Sequence, residues 1–190
     1  MRIRTPCGHA RMLTDARFRG RLVRVMAPRW AHDPLGGAGA AKNGGRYNRV
    51  DRAALYLSTS LDVAVNEYQQ DTRFRPATFV AYAVDVGPVA DVTIPVGIQA
   101  HGDERDGPFS SWKDARDRGD DPVTWRIADR PIEAGFSAAL VPSVLPANRP
   151  PTRATQGVNM VVWRWNTTPD SSVLVLDPMN DLPRDATSWR

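Results

Sequence analysis

The residues best suited to chemistry fall in one stretch, Gly44 to Glu67. It reads Gly-Gly-Arg-Tyr-Asn over 44–48, Ala-Leu-Tyr-Leu-Ser-Thr-Ser over 54–60 and Leu-Asp-Val-Ala-Val-Asn-Glu over 61–67. The paired glycines give the backbone freedom that a turn before Arg46 requires. A guanidinium binds phosphate oxygens in bidentate fashion. Hydroxyls such as Ser58 and Ser60, beside a helix start, suit anionic oxygens. Tyr47 and Tyr56 offer flat rings on which a heteroaromatic base can stack. Glu67 supplies one carboxylate, able to fix ribose hydroxyls and to stabilise a developing oxocarbenium ion. Singly, each has an ordinary structural reading: surface arginine, core tyrosine, strand-end hydroxyl, solvated carboxylate. Together they fit a nucleotide better.

These side chains need elements to position them. Arg21 to Met26 alternates as a half-buried strand, with Leu22 and Arg24 on one face and Val23 and Val25 on the other. A guanidinium on an apolar strand face calls for an anionic partner; Arg24 is either a snorkelling edge residue or faces a ligand. Residues 27–43, with Pro28, Pro34 and the Gly-Gly-Ala-Gly-Ala run, read as a loop. Those glycines lack the strand-before and helix-after context of a dinucleotide fingerprint. Residues 53–58 read as a short buried strand, and Ser60 as the N-cap of a helix that carries Glu67 at the border of its buried face. Thr78 to Val86 is the clearest strand, with a second short one expected over 90–94. The Gly/Asp/Arg-rich segment 99–122 reads as a solvated excursion with a helical turn near 112–118. A helix follows over 124–135, interrupted or ended near Pro131, then strands over 136–141, 157–165 and 172–177. Residues 1–20 are basic and weakly periodic, packing loosely or as a short helix. Strands outnumber helices in irregular order, so the fold class is α+β.

Composition narrows the function. The 190 residues suit one domain, 1–190, with a full core. Net charge is +4, and Lys42 and Lys113 are the only lysines among 25 basic residues. The arginines are scattered and interleaved with aspartate, a poor pattern for a duplex-DNA binder. Cys7 is the only cysteine, which excludes an intrachain disulfide and points to a reducing, cytoplasmic setting. Cys7 and His9 with two further histidines assemble no zinc-ligand spacing, so no metal is expected. No apolar run of about 18 residues predicts a membrane helix.

Arg24 in its strand, Gly44-Gly-Arg-Tyr-Asn48, Leu55-Tyr-Leu-Ser58, Glu67 in Ala-Val-Asn-Glu and Val141-Pro-Ser143 together resemble the RES domain, named for its Arg, Glu and Ser. The resemblance spans about 20–165, with Tyr47 standing where the family often has tryptophan. It implies a fold similar to ADP-ribosyltransferases, with a split, mainly antiparallel sheet flanked by short helices. It also implies the toxin of a bacterial type II toxin–antitoxin pair, with NAD+ as substrate. Arg24, Arg46 and Glu67 would then be the catalytic set: the arginines on the phosphates, Glu67 on the ribose as nicotinamide leaves. Tyr47 or Tyr56 would stack on nicotinamide, Ser58 or Ser60 would add hydroxyl contacts, and Ser143 and, more weakly, Asn159 would line the pocket. No histidine at a supporting spacing makes Ser143 a nucleophile. The expected partner is an antitoxin covering the site, with nucleic acid reached only through it. The alternatives are mono-ADP-ribosylation of a host protein, with 99–122 as a recognition surface, and a non-catalytic nucleotide-binding module. A toxin acting on nucleic acid ranks below these, since no acid–base set or aromatic-interleaved basic stripe stands out.

Overall fold

The computed structural model describes residues 17–69, 75–93, 111–143, 157–169 and 171–189. Among these, seven strands form one sheet in the order β4-β5-β6-β2-β1-β3-β7. In chain order they are β1 (Phe18–Met26), β2 (Leu55–Ser58), β3 (Thr78–Val86), β4 (Val89–Asp91), β5 (Ala138–Pro142), β6 (Val158–Val162) and β7 (Ser171–Val175). Only β4 and β5 run parallel; every other pairing is antiparallel. Four helices accompany them: α1 (Ala38–Asn43), α2 (Leu61–Gln69), α3 (Trp112–Asp117) and α4 (Val123–Glu133). This is the α+β class with the mainly antiparallel sheet that the sequence predicts. No helix among the described residues is long and apolar enough to cross a membrane.

The sheet is nearly cut in two. β1 and β3 pair along their whole length, from Phe18 opposite Val86 to Met26 opposite Thr78. β2 and β6 pair from Leu55 opposite Val162 to Ser58 opposite Asn159. Between β1 and β2 the register reduces to Val23 opposite Ser58. Beyond that pair the strands part, and the halves β4-β5-β6-β2 and β1-β3-β7 border an opening.

Strand alternation gives the β4-β5-β6-β2 half two apolar faces, whereas the β1-β3-β7 half buries one and leaves Phe79 and Leu174 exposed on the other. Leu22, Leu57, Tyr82, Met160 and Val162 build one core. Val161, Ala139 and Val141, from the opposite face, build a second with Ile127, Ala128 and Ile132 of α4. Tyr82 Oη crosses the first core to donate to the Pro34 carbonyl at 2.8 Å, and burial pushes its phenol up to about 12.

Several sequence expectations need correction. Residues 18–20 belong to β1, while residues 1–16, with Cys7 and His9, lie outside the described residues. The 27–43 stretch holds a 3-10 turn at Pro28–Trp30 and then α1, where a loop is expected. Ala38, Ala40 and Ala41 carry enough helix preference to offset Gly39, and Gly44 at φ 68° stops the helix. α4 passes through Pro131 and ends at Glu133. Pro131 and Ile132 are buried in its last turn, and the end is closed by Gly135 at φ 89°. Phe136 N–H donates to Pro131 O at 2.8 Å and Gly135 N–H to Ile132 O at 3.1 Å, the paired bonds of a left-handed helix cap. The second short strand covers Val89–Asp91 instead of 90–94, of which 94 is not described.

One ion-pair cluster ties this framework together. Arg49 donates through Nη2 to Asp121 at 2.7 Å and through Nε to Asp129 of α4 at 2.9 Å. The Arg49 guanidinium holds the Asp121 carboxyl below its ordinary range. A carboxyl with a lowered folded-state pKa stabilises the fold above about pH 3.9, and that contribution is lost as pH falls through the lower folded value. Both side chains are about two-fifths exposed, so solvent keeps the pair near about 0.5 kcal/mol. Asp121→Asn is expected to lower stability by that amount at pH 7 and to leave it nearly unchanged at pH 2. Urea midpoints at the two pH values check this.

Candidate active site

The parting of β1 from β2 opens onto a cleft of about 340 Å3. Arg24 and Val25 border it from β1, Tyr56 and Ser58 from β2, and Asn159 from β6. Glu67 and Tyr68 enter from α2, and Arg46 and Tyr47 from the turn before β2. A cleft of this size lies at the small end of small-molecule sites, which run to about 300–1,000 Å3.

The carboxylate is the most carefully held group. Ser60 caps α2, its Oγ accepting from Val63 N–H at 3.3 Å, and this sets the helix that presents Glu67. Asn159 Nδ2 donates to Glu67 Oε1 at 2.9 Å, and Ser143 Oγ donates to the same oxygen at 2.5 Å. Ser58 Oγ in turn donates to Asn159 Oδ1 at 2.7 Å, which turns the amide's NH2 toward Glu67. Ser58 and Asn159 are direct cross-strand partners, and Val141 stands opposite Asn159 two residues before Ser143. Register therefore brings two polar side chains, Asn159 and Ser143, onto one carboxylate, with Ser58 orienting the first of them.

The arginines are held differently. Arg24 Nη1 approaches the carbonyls of Pro34 and Gly36 at 3.4 and 3.5 Å, longer than a good hydrogen bond. Among the described residues no carboxylate lies within ion-pair distance of it. Arg46 has its Nε buried with no hydrogen-bond partner. Two guanidinium groups thus face one cleft with donors to spare, the arrangement that an anionic ligand completes.

The Gly44–Asn48 turn is built to hold Arg46 there. Gly44 takes φ 68°. A Cβ on Gly45 would stand 2.4 Å from Asn48 Oδ1 and 2.6 Å from Tyr56 Oη, so that position admits no side chain. Asn48 is buried, with Nδ2 donating to the carbonyls of Ala40, Arg49 and Arg52 at 2.9–3.0 Å. Tyr56 Oη donates to Asn48 Oδ1 at 2.7 Å and accepts from Tyr47 N–H at 2.9 Å. Two tryptophans clamp the backbone: Trp125 Nε1 donates to Gly45 O at 2.6 Å and Trp163 Nε1 to Tyr47 O at 2.9 Å.

The sequence-derived residues therefore fall into distinct places. Arg24, Arg46, Tyr47, Tyr56, Ser58, Glu67 and Asn159 share the cleft wall. Tyr47 is almost wholly buried, and that burial pushes its phenol far above its ordinary range, against the pull of the Arg46 cation. Burial does the same to Tyr56, whose hydroxyl is already committed to the turn. Ser143 is 3% exposed and reaches the site through Glu67, and Ser60 is exposed at the helix start; neither lines the cleft. Three further cleft residues, Tyr68, Arg75 and Trp112, are not among those the sequence singles out for the site. Arg75 lies over the Tyr68 ring at 3.9 Å and donates to Tyr68 O at 2.8 Å. Trp112 of α3 comes from the Gly/Asp/Arg-rich excursion and lines the same cleft. A lone tryptophan in so polar a segment was the one available clue.

The family model described as RES domain matches residues 21–185. The chain belongs to the RES domain family. The match runs past Trp165, where the motif resemblance ends, and takes in β7. No curated protein sequence matches the chain at a significant level. Among solved structures, this RES domain resembles the MbcT toxin in the crystal structure of the M. tuberculosis MbcT–MbcA toxin–antitoxin complex. The TM-score is 0.59 at 21% identity, over 86% of this chain and 84% of that one. At that identity the likeness is one of fold.

Gly45→Ala in this RES domain is expected to cost about 1–3 kcal/mol, because the added methyl overpacks the Asn48–Tyr56 pair. Asn48→Ala is expected to cost a similar amount by leaving buried carbonyls unpaired. Chemical denaturation of both variants beside the parent chain measures the losses.

Proposed function

We propose that this RES domain is the toxin of a type II toxin–antitoxin pair and consumes NAD+ by breaking the nicotinamide–ribose bond. The observation that carries this reading is Glu67, fixed by Ser143 and Asn159 in a cleft where Arg24 and Arg46 have no carboxylate partner among the described residues. Arg24 and Arg46 take the pyrophosphate by charge-assisted hydrogen bonds. Tyr47 and Tyr56 border the nicotinamide. As nicotinamide departs with the electron pair of the C1′–N bond, positive charge grows on C1′ and the ring oxygen of the ribose. A carboxylate already oriented by two donors stabilises that charge without reorganising. Water then bonds to C1′ and gives up a proton, yielding ADP-ribose; inorganic phosphate in its place yields ADP-ribose phosphorylated at that carbon. Family membership and the fold shared with the MbcT toxin support the toxin role. MbcT occurs in complex with MbcA, which supports a protein antitoxin that closes the cleft.

A second reading, transfer of ADP-ribose to a protein, has one observation in its favour. Trp112, from the described part of the 99–122 segment, lines the cleft, where an acceptor would dock.

Mass spectrometry of NAD+ incubated with the protein, with and without phosphate, separates these readings. The expected products are nicotinamide with ADP-ribose or its phosphorylated form; intact NAD+ under both conditions refutes consumption. Label from NAD+ carried into a protein band, with slow bulk loss, selects transfer. Glu67→Gln is expected to slow nicotinamide release about 100-fold or more. Ser143→Ala, which removes one of two donors to a charged group, is expected to slow it about 10-fold.

A further inference from the structure

A second cleft, of about 440 Å3, lies beside the first, and Arg24 lines both. Its walls are the β1 residue Met26, the 3-10 turn with Trp30, the following His32 and Asp33, and Lys42 of α1. We infer that this second cleft is an adenosine-phosphate subsite, with Arg24 at the junction holding the phosphates. The inference rests on the reading of NAD+ as substrate and deepens it.

Four features point to this ligand. The first cleft, of about 340 Å3, lies at the small end of small-molecule sites, so a neighbouring space suits the second nucleoside of a dinucleotide. The guanidinium shared by the two clefts meets two carbonyls at long range and the Tyr82 hydroxyl, with no carboxylate at ion-pair distance among the described residues. A pyrophosphate is the part of a dinucleotide that lies between its two nucleosides, and Arg24 occupies the corresponding place between the clefts.

Second, the wall offers a flat aromatic surface: Trp30 is 58% exposed. Bases of any identity stack on such rings. Third, the polar groups there are unspent. His32 Nδ1 is buried with no hydrogen-bond partner. Among the described residues neither the Asp33 carboxylate nor the Lys42 ammonium makes a side-chain ion pair. A carboxylate accepts from two vicinal ribose hydroxyls, an imidazole meets the edge of a base, and an ammonium meets a phosphate. Fourth, the backbone makes way for that carboxylate. A Cβ on Gly36 would stand 2.1 Å from Asp33 Oδ2, so glycine at 36 is what lets Asp33 lie in the cleft wall. The glycine run that lacks a dinucleotide fingerprint in sequence thus borders a nucleotide site of another geometry.

The test uses AMP and a pair of substrates on the full chain. Calorimetry is expected to show saturable AMP binding, weakened about 10-fold in Trp30→Ala, the size of one lost base stack, and restored in Trp30→Phe. Lys42→Glu, a change at an exposed position, is expected to weaken AMP binding as well. For turnover, the readout is kcat/KM for NAD+ divided by that for nicotinamide mononucleotide, which lacks the adenosine half. Trp30→Ala is expected to lower that ratio about 10-fold. Absence of AMP binding, or binding unchanged in both Trp30→Ala and Lys42→Glu, overturns the subsite. AMP binding with those sensitivities, but no nicotinamide released from NAD+, keeps the subsite and overturns the proposed reaction.

Discussion

The structure depends on keeping two guanidinium groups beside one cleft without neutralising them. Desolvating a cation is expensive unless an opposite charge or several acceptors compensate. Arg24 has distant carbonyls and the Tyr82 hydroxyl, none of which neutralises it, and Arg46 has a buried Nε with nothing to donate to. Neither side chain would stay in place by its own energetics. The scaffold compensates elsewhere, through the β1–β3 ladder behind Arg24 and the hydrogen-bonded turn behind Arg46. Glu67 is treated in the opposite way: one of its oxygens is met by two neutral donors, Ser143 and Asn159, which orient the carboxylate. Charges of both signs, held in fixed positions around one cleft, are what a substrate carrying phosphates and a developing cation requires.

The turn that carries Arg46 shows how much structure this takes. Asn48 satisfies three carbonyls and one hydroxyl, Tyr56 bridges side chain to backbone, and two indoles hold the main chain from the α4 side and the β6 side. Arg49 then links the same turn to Asp121 and Asp129. The arginine three residues after Arg46 thus spends its own charge on fixing the neighbourhood. Arg46 and Arg49 have the same side chain and opposite fates, decided by whether aspartates stand within reach.

Much of this was legible in the sequence, for identifiable reasons. β3 reads to its exact ends because β-branched and aromatic residues alternate without a break and Gly87-Pro88 follows. Ser60 reads as a cap because hydroxyl caps are a local device. Arg24 was recognisable as a misplaced charge on an apolar strand face. Other features were not legible, because non-local packing decides them. α1 forms over a glycine-rich run because its turn packs on Asn48 and Asp51, whose amide donates to Ala41 O. α4 continues through Pro131 because burial of Pro131 and Ile132 outweighs one missing hydrogen bond. Tyr47 reads as a stacking platform, yet its ring is almost entirely enclosed. Asn159 was underrated because its worth comes from standing opposite Ser58, a matter of register.

The unpaired arginines also bear on how the molecule behaves in a test tube. A fold that carries half-buried cations without a carboxylate partner gains free energy from any small multivalent anion that fits between them, whether or not it is a substrate. By mass action such an ion raises the melting temperature in proportion to the logarithm of its concentration once it exceeds its dissociation constant. Phosphate, sulfate or citrate in a buffer would then act as a stabiliser and a competitor at once. A preparation that looks most robust would be the one whose cleft is already occupied.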